Sequence, residues 1–324
     1  HMNQYYFNDE LNIKDITEKS VDFIVITHPD QDHTIGIKKV LENFSVKKIY
    51  MNRPWKYVDD LFDKINDGRI TKESLARRLR EKYKTIADIE DMAKEKNIPI
   101  YEAFEGTHIE DELLILSPEK QYYLSLLVSS EKTPLEMSSA LQHDGTLLKF
   151  LASVKDFALN ILETWDIETL RESETTSAEN ETSVILRGKV DGSGFILTGD
   201  AGIGSLNRAI DYMEKIGENI VEDISFYQVP HHGGRHNVSP SVLNRMLGEK
   251  IEKGNSRNKV AFASVAQNSS HPLKMVTNAY IRRGVTVYKT NGNVICHHNG
   301  KMPDRRWVGL KSIEFSDYVE EWSN

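Results

Sequence analysis

Residues 21–33 read Val-Asp-Phe-Ile-Val-Ile-Thr-His-Pro-Asp-Gln-Asp-His. The apolar, β-branched part, Val21 to Thr27, has the pattern of a strand buried on both faces. It runs straight into His28-Pro29-Asp30-Gln31-Asp32-His33, which puts two imidazoles and two carboxylates within six residues at a strand end. Such a cluster is electrostatically costly without a cation, and a divalent metal supplies the missing charge while fixing the side chains. The competing reading is a polar surface loop.

Working outward, Ile35 to Asn43 has helical spacing and Val46 to Asn52 reads as a strand, so the chain begins as an α/β protein. Helices are expected over Pro54 to Asn66, from a Thr71 cap toward Lys84, and over Ala87 to Lys96. Strands resume at IPIYEAF and ELLILSP. Glu119 to Val128 reads as a helix, and Thr133-Pro134-Leu135-Glu136 has the residue types of a capped start for another, reaching about Leu170. The polar stretch Ser173 to Asn180 reads as a connection. Beyond it the pattern predicts a strand pair across Asp191-Gly192, a helix over Leu206 to Ile216 and the strand DISFYQV. A helix from Ser239-Pro240 to Gly248, the strand KVAFASV, a helix from His271-Pro272 to Gly284 and a final hairpin of VTVYKT with NVICHH complete it.

Composition narrows the class. The 324 residues include one cysteine, which excludes an internal disulfide framework and a cysteine-rich zinc ribbon, so a reducing, cytoplasmic setting is expected. No apolar run approaches the roughly 18 to 20 residues that span a bilayer, and no signal-peptide blocks are seen, so no membrane role is expected. A formal charge of -8 argues against broad polyanion binding, although three aspartates in a metal site would be neutralised by the ions they hold.

Two further pieces fit the metal reading. Asp200 ends the strand GFILTGD, where a carboxylate can bridge two ions, and His231-His232 follow the strand DISFYQV in VPHHGGRHNVSP. Alone, TGD is a plausible turn and HHG a plausible surface loop. In this order, after HxDxDH, they resemble the metallo-β-lactamase fold, and in detail the hydrolase domain of ComEC-type competence proteins and their soluble relatives. That branch has HPDxDH where most of the superfamily has HxHxDH, an Asn and a Ser ahead of the strand pair leading to TGD, then VPHHGS and a later His-Pro. Here these are His28 to His33, Asn180 and Ser183, Thr198 to Asp200, Val229 to Gly233 and His271-Pro272.

The resemblance implies an αββα sandwich with two metals at one edge. One ion would take Asp32, His33 and a histidine of the 231–232 pair, with His231 favoured and His232 left to support it. The other would take His28 and Asp30 and share Asp200. Asn180 falls where the superfamily usually has a third histidine, so the site is oxygen-rich and Mn²⁺ is expected ahead of Zn²⁺. Two ions about 3.5 to 4 Å apart lower the pKa of a shared water, which points to phosphodiester hydrolysis by a metal-activated hydroxide. Asp32 and His271 are the candidate catalytic residues, His271 holding a substrate oxygen or protonating the leaving group. Arg235 is a candidate phosphate contact.

The sequence departs from that family in two ways. The strands that normally precede the metal loop are lacking, so a truncated or reduced chain or half of a split protein is expected, with a homodimer or partner protein covering the incomplete sheet edge. Helical insertions over about 54–97 and 119–172 interrupt the single domain of 3–324, and 303–324 forms a C-terminal tail. In the first insertion, KESLARRLREKYK either presents an ordinary solvated face with i,i+4 pairs or lines a nucleic-acid groove. The leading expectation is a metal-dependent nuclease with nucleic acid as substrate. The alternatives are a hydrolase of a nucleotide messenger or other small ester, and a noncatalytic assembly module that keeps the fold.

Overall fold

The apolar run ahead of the His/Asp motif is split. The computed structural model describes residues 20–62, 64, 71–130, 160–190, 192–298 and 308–322. In place of one strand from Val21 to Thr27 it has β1 (Ser20–Val21) and β2 (Ile24–Val25). There follow α1 (Gln31–Asn43), β3 (Ser45–Val46), β4 (Ile49–Tyr50), α2 (Val58–Phe62), α3 (Lys72–Lys82), α4 (Lys84–Glu95), β5 (Ile100–Tyr101), β6 (His108–Ile109), β7 (Leu113–Ser117) and α5 (Lys120–Ser129). Next come β8 (Asn160–Leu162), α6 (Ala178–Glu181), β9 (Ile185–Val190), β10 (Ser193–Leu197), α7 (Ile203–Lys215), α8 (Ile220–Asp223) and β11 (Ile224–Gln228). The chain continues with α9 (Pro240–Leu247), β12 (Lys259–Ala263), α10 (Lys274–Arg282), β13 (Val285–Lys289) and β14 (Tyr318–Glu320). This mixed α/β chain divides into two units, one of His1–Pro134, Ser177–Gly188 and Thr198–Tyr212, the other of Leu135–Thr176, Lys189–Leu197 and Met213–Asn324.

In the first unit β2, β4 and β5 pair in parallel, with Ile24 opposite Ile49 and Ile49 opposite Ile100. Parallel neighbours need a crossover, which α1 supplies between β2 and β4. β6, β7 and β9 pair antiparallel, in the order β6-β7-β9. Tyr50, Ala103, Ile109, Ile115, Val184 and Leu186 form one buried core, with Phe23 and Val25 packed against it. The exit of β2 is held by two backbone bonds, Ile26 N–H to the Tyr50 carbonyl (3.0 Å) and Val184 N–H to the Thr27 carbonyl (2.9 Å). The Thr71 hydroxyl caps α3 as expected, accepting the Ser74 N–H, and Glu119 caps α5 by accepting the Tyr122 N–H.

In the second unit β10, β11, β12 and β13 pair in parallel, and β8 pairs antiparallel with β14. The Ser239 hydroxyl caps α9, and Gly248 ends it at φ 95°, a conformation that favours glycine. The C-terminal stretch thus contributes a strand, and Val319 within it is fully buried. Among the described residues no helix is long and apolar enough to cross a membrane.

Several expectations change. Helix α1 begins at Gln31, so the second half of HPDQDH is its first turn and not a loop. The expected helix from Thr133 lies outside the described residues as far as 159, and it does not reach Leu170: Asn160–Leu162 is a strand. The reason for the irregular backbone after it is a buried cation, because the carbonyls of Thr164, Trp165 and Ile167 accept hydrogen bonds from the Arg282 guanidinium. The final hairpin is absent, since it is the Ile313 N–H that reaches the Val287 carbonyl of β13. The helix after His271-Pro272 starts later, at Lys274. In α3, Arg80 pairs with Glu90 and Asp91 and lies over Trp55, bracing α3 on α4.

Candidate metal centre

In the first unit, the turn from β2 into α1 presents the motif. Asp30 occupies the N-cap position, and the Thr34 hydroxyl donates to its carbonyl at 2.8 Å. Because Asp32 and His33 sit on the first helical turn, their side chains project from a rigid helix end. From α4, the Thr85 hydroxyl donates to the Pro29 carbonyl (3.1 Å), and Lys38 of α1 pairs with Asp88 (2.7 Å). The first helical insertion therefore grips the motif directly.

Asp200 arrives from the turn after β10. Its N–H donates to the Ser183 hydroxyl at 3.1 Å, and Gly199 before it adopts φ 53°, where an added Cβ would come within 3.2 Å of the Thr27 side chain. Glu181 secures the far side of the turn by accepting the N–H groups of Gly204 (3.1 Å) and Ser205 (2.7 Å) at the start of α7.

These elements converge on Asp200, whose side chain is 4% exposed. One carboxylate oxygen lies 3.7 Å from His28 Nε2 and the other 3.2 Å from His33 Nε2. His28 Nε2 is also 3.8 Å from Asp30, and His33 Nε2 is 3.6 Å from Asp32. Asp32, His33 and Asp200 each offer a ligand atom, all within 4.8 Å of one another. Burial, reinforced by repulsion from His33, pushes the His28 pKa down to about 4 against the pull of Asp200, Asp30 and Asp32. For His33, burial is outweighed by the hydrogen bond and charge of Asp200 and by Asp32 and Asp30, and its pKa is raised.

The residues fit divalent ions on a specific observation: His28 Nε2 is buried without a hydrogen-bond partner, and it points at carboxylate oxygens 3.7–3.8 Å away. That separation is too long for a hydrogen bond and close to the roughly 3.4 Å between two ligands of an ion with bonds near 2.0–2.1 Å. The donors are three carboxylates and two imidazoles, and Asp200 turns a different oxygen to each imidazole. Asn180, buried in α6, belongs to the same unit.

In the second unit, His231 and His232 follow β11 in a tight turn. Both take left-handed backbone, φ 46° and 58°, which is costly for residues with a Cβ and persists where surrounding structure enforces it. Gly233, at φ 90°, closes against Pro272 so tightly that an added Cβ would lie 2.4 Å from the Pro272 Cβ. The Leu273 N–H donates to the Gly233 carbonyl at 3.2 Å, so the His231-His232 and His271-Pro272 segments are locked together. His232 Nδ1 is 2.5 Å from the Ser264 carbonyl, which makes Nδ1 the protonated nitrogen and leaves Nε2 as a ligand atom. Burial, with His231 and His232 adding to it, holds His271 below the usual histidine pKa, so it is uncharged near neutral pH. Arg235 is buried; it donates to the Glu321 carbonyl (2.8 Å) and lies over the Trp322 ring.

Thr27, which no motif marks, places its hydroxyl 3.1 Å from His28 Nδ1 and 3.4 Å from His33 Nδ1. A hydroxyl residue directly before the first histidine was the available signal.

Compared with known families, residues 4–99 match the model of the metallo-beta-lactamase superfamily, a stretch that holds His28 to His33 and ends before Asp200. Members of that superfamily are mostly metal-dependent hydrolases, and the mixed α/β architecture is consistent with its fold. No curated protein matches the chain.

Proposed function

We propose that the protein is a divalent-metal-dependent hydrolase of phosphodiester bonds, acting on nucleic acid. The observation that carries this reading is Asp200, one oxygen toward His28 and the other toward His33, beside an imidazole nitrogen buried without a hydrogen-bond partner. His28, Asp30 and Asp200 would hold one ion, and Asp32, His33 and Asp200 a second. Bound there, the ions supply Lewis acidity toward a phosphoryl oxygen and a water of lowered pKa. The oxygen-rich donors support Mn²⁺ over Zn²⁺.

The similarity of HPDQDH, TGD and HHGG to ComEC-type hydrolase domains supports the nucleic-acid substrate. It also implies a histidine of the 231–232 pair as a metal ligand. His271, uncharged near neutral pH, suits a hydrogen bond to a substrate oxygen better than proton donation. Cys296 is exposed on the segment after β13, and no nucleophilic cysteine is needed.

The test incubates the protein and Asp32→Ala with Mn²⁺ and labelled single- and double-stranded DNA and RNA. Cleavage by the parent, abolished by EDTA and by the substitution, is expected. Activity that survives Asp32→Ala would place the chemistry elsewhere, and turnover of small cyclic phosphodiesters without any polymer would change the substrate class.

A further inference from the structure

The hydroxyl of Thr27 stands between the Nδ1 atoms of the two imidazoles that face Asp200, at 3.1 Å from His28 and 3.4 Å from His33. The two rings lie with centroids 4.3 Å apart, tilted by 52°, so one small group reaches both. A neutral imidazole carries one N–H, and a ring that binds an ion through Nε2 must carry it on Nδ1. A hydroxyl oxygen has two lone pairs and can accept two such N–H groups.

We propose that Thr27 is a positioning residue whose hydroxyl accepts the Nδ1–H of both His28 and His33, holding each ring in the tautomer and orientation that turn Nε2 toward Asp200. The local backbone is built to keep it there. The Thr27 carbonyl receives the Val184 N–H at 2.9 Å, fixing the main chain on β9's approach. Gly199 leaves room for the Thr27 side chain, which an added Cβ would crowd at 3.2 Å. Ser183 is a secondary support: its hydroxyl is 3.3 Å from His28 Nδ1 and accepts the Asp200 N–H. One threonine thereby couples the two ligand sets, so that disturbing it loosens both. The inference rests on the reading of these side chains as metal ligands and needs nothing about the substrate.

Thr27→Val keeps the shape and removes the acceptor; Thr27→Ser keeps the acceptor and removes a methyl group. Mn²⁺ and Zn²⁺ affinities are measured by competition with a chelator, and the ring N–H protons of Zn²⁺-loaded, ¹⁵N-histidine-labelled protein are followed by NMR. Thr27→Val is expected to weaken metal binding about 10- to 100-fold, the range seen when groups supporting metal ligands are removed, and to speed exchange of the Nδ1–H protons. Thr27→Ser is expected to stay close to the parent in both. Parent-like affinity and exchange in Thr27→Val would overturn the inference, as would an equal loss in Thr27→Ser, which would assign the effect to packing. A parent that takes up neither ion overturns this inference together with the metal reading, whereas a parent that binds ions but cleaves nothing leaves Thr27 to be judged on affinity alone. Metal-free thermal unfolding of both variants checks that the fold is intact.

Discussion

Two polar clusters in this chain handle charge in opposite ways. In the second unit, Glu163 is fully buried and pairs with Arg282 (2.7 Å), Asn278 (2.9 Å) and Thr169. Arg283 beside it donates to both oxygens of Glu168, to Asn244 and to the carbonyls of Ala279 and Pro240. Each carboxylate there meets a guanidinium. In the first unit, three carboxylates gather around two imidazoles, and one imidazole nitrogen is buried without a hydrogen-bond partner. A cluster that satisfies itself holds the fold together. One that does not is arranged for something it has yet to bind.

The largest break in that comparison comes from removing a cation on the satisfied side. Arg282→Met would leave Glu163 charged, buried and short of its main partner, and a loss of about 3–5 kcal/mol is expected in urea denaturation. Combining it with Glu163→Gln should recover part of the loss, because the orphaned charge is then gone. Full additivity of the two losses would show that the pair is not coupled.

Glu168 sharpens the contrast through pH. Burial raises its pKa, but the hydrogen bonds and charges of Arg283 and of Lys250 at 2.9 Å outweigh burial, and the net shift is downward. A carboxyl depressed on folding contributes stability that is complete above its unfolded pKa, near 4.3, and is lost as pH falls through the folded value. Glu168→Gln should therefore cost stability at pH 7, and the gap to the parent should close in acid. A gap that is constant down to pH 3 would contradict the assignment.

How much of this was readable beforehand follows the physics of each part. HPDQDH was legible because four ionisable groups in six residues have few explanations, and Thr71, Ser239 and Gly248 were legible because capping is local chemistry. The start of α1 inside the motif was not, since Pro29 and the charges looked like a loop while helix initiation at Gln31 depends on docking to α4 through Thr85 and Asp88. Nothing local in the sequence marks Arg282 and Arg283 as buried. Both are fully buried, and their partners lie more than a hundred positions away, at Glu163 and Glu168. The same distance in sequence hid the loss of helix after Leu162, whose carbonyls are drawn to Arg282. Asp200 could be named, but only the fold shows that its two oxygens divide between His28 and His33.

The smallest expected effect on stability is the most telling. Asp200→Asn preserves shape and removes one of three carboxylates that crowd around His28 and His33, giving up the favourable Asp200–His33 contact at 3.2 Å while relieving repulsion with Asp30 and Asp32. These terms oppose, so metal-free stability should move by less than about 1 kcal/mol in either direction, unlike the loss at Arg282. Metal dependence should change completely. In the parent, Mn²⁺ at a hundred times its Kd should add about 2.7 kcal/mol by mass action. In Asp200→Asn the same addition should leave the melting temperature where it was, because the group shared by both ligand sets is gone. A metal-free loss above about 2 kcal/mol would instead place Asp200 with the self-satisfied clusters, and the distinction between the two kinds of site in this molecule would fail at its centre.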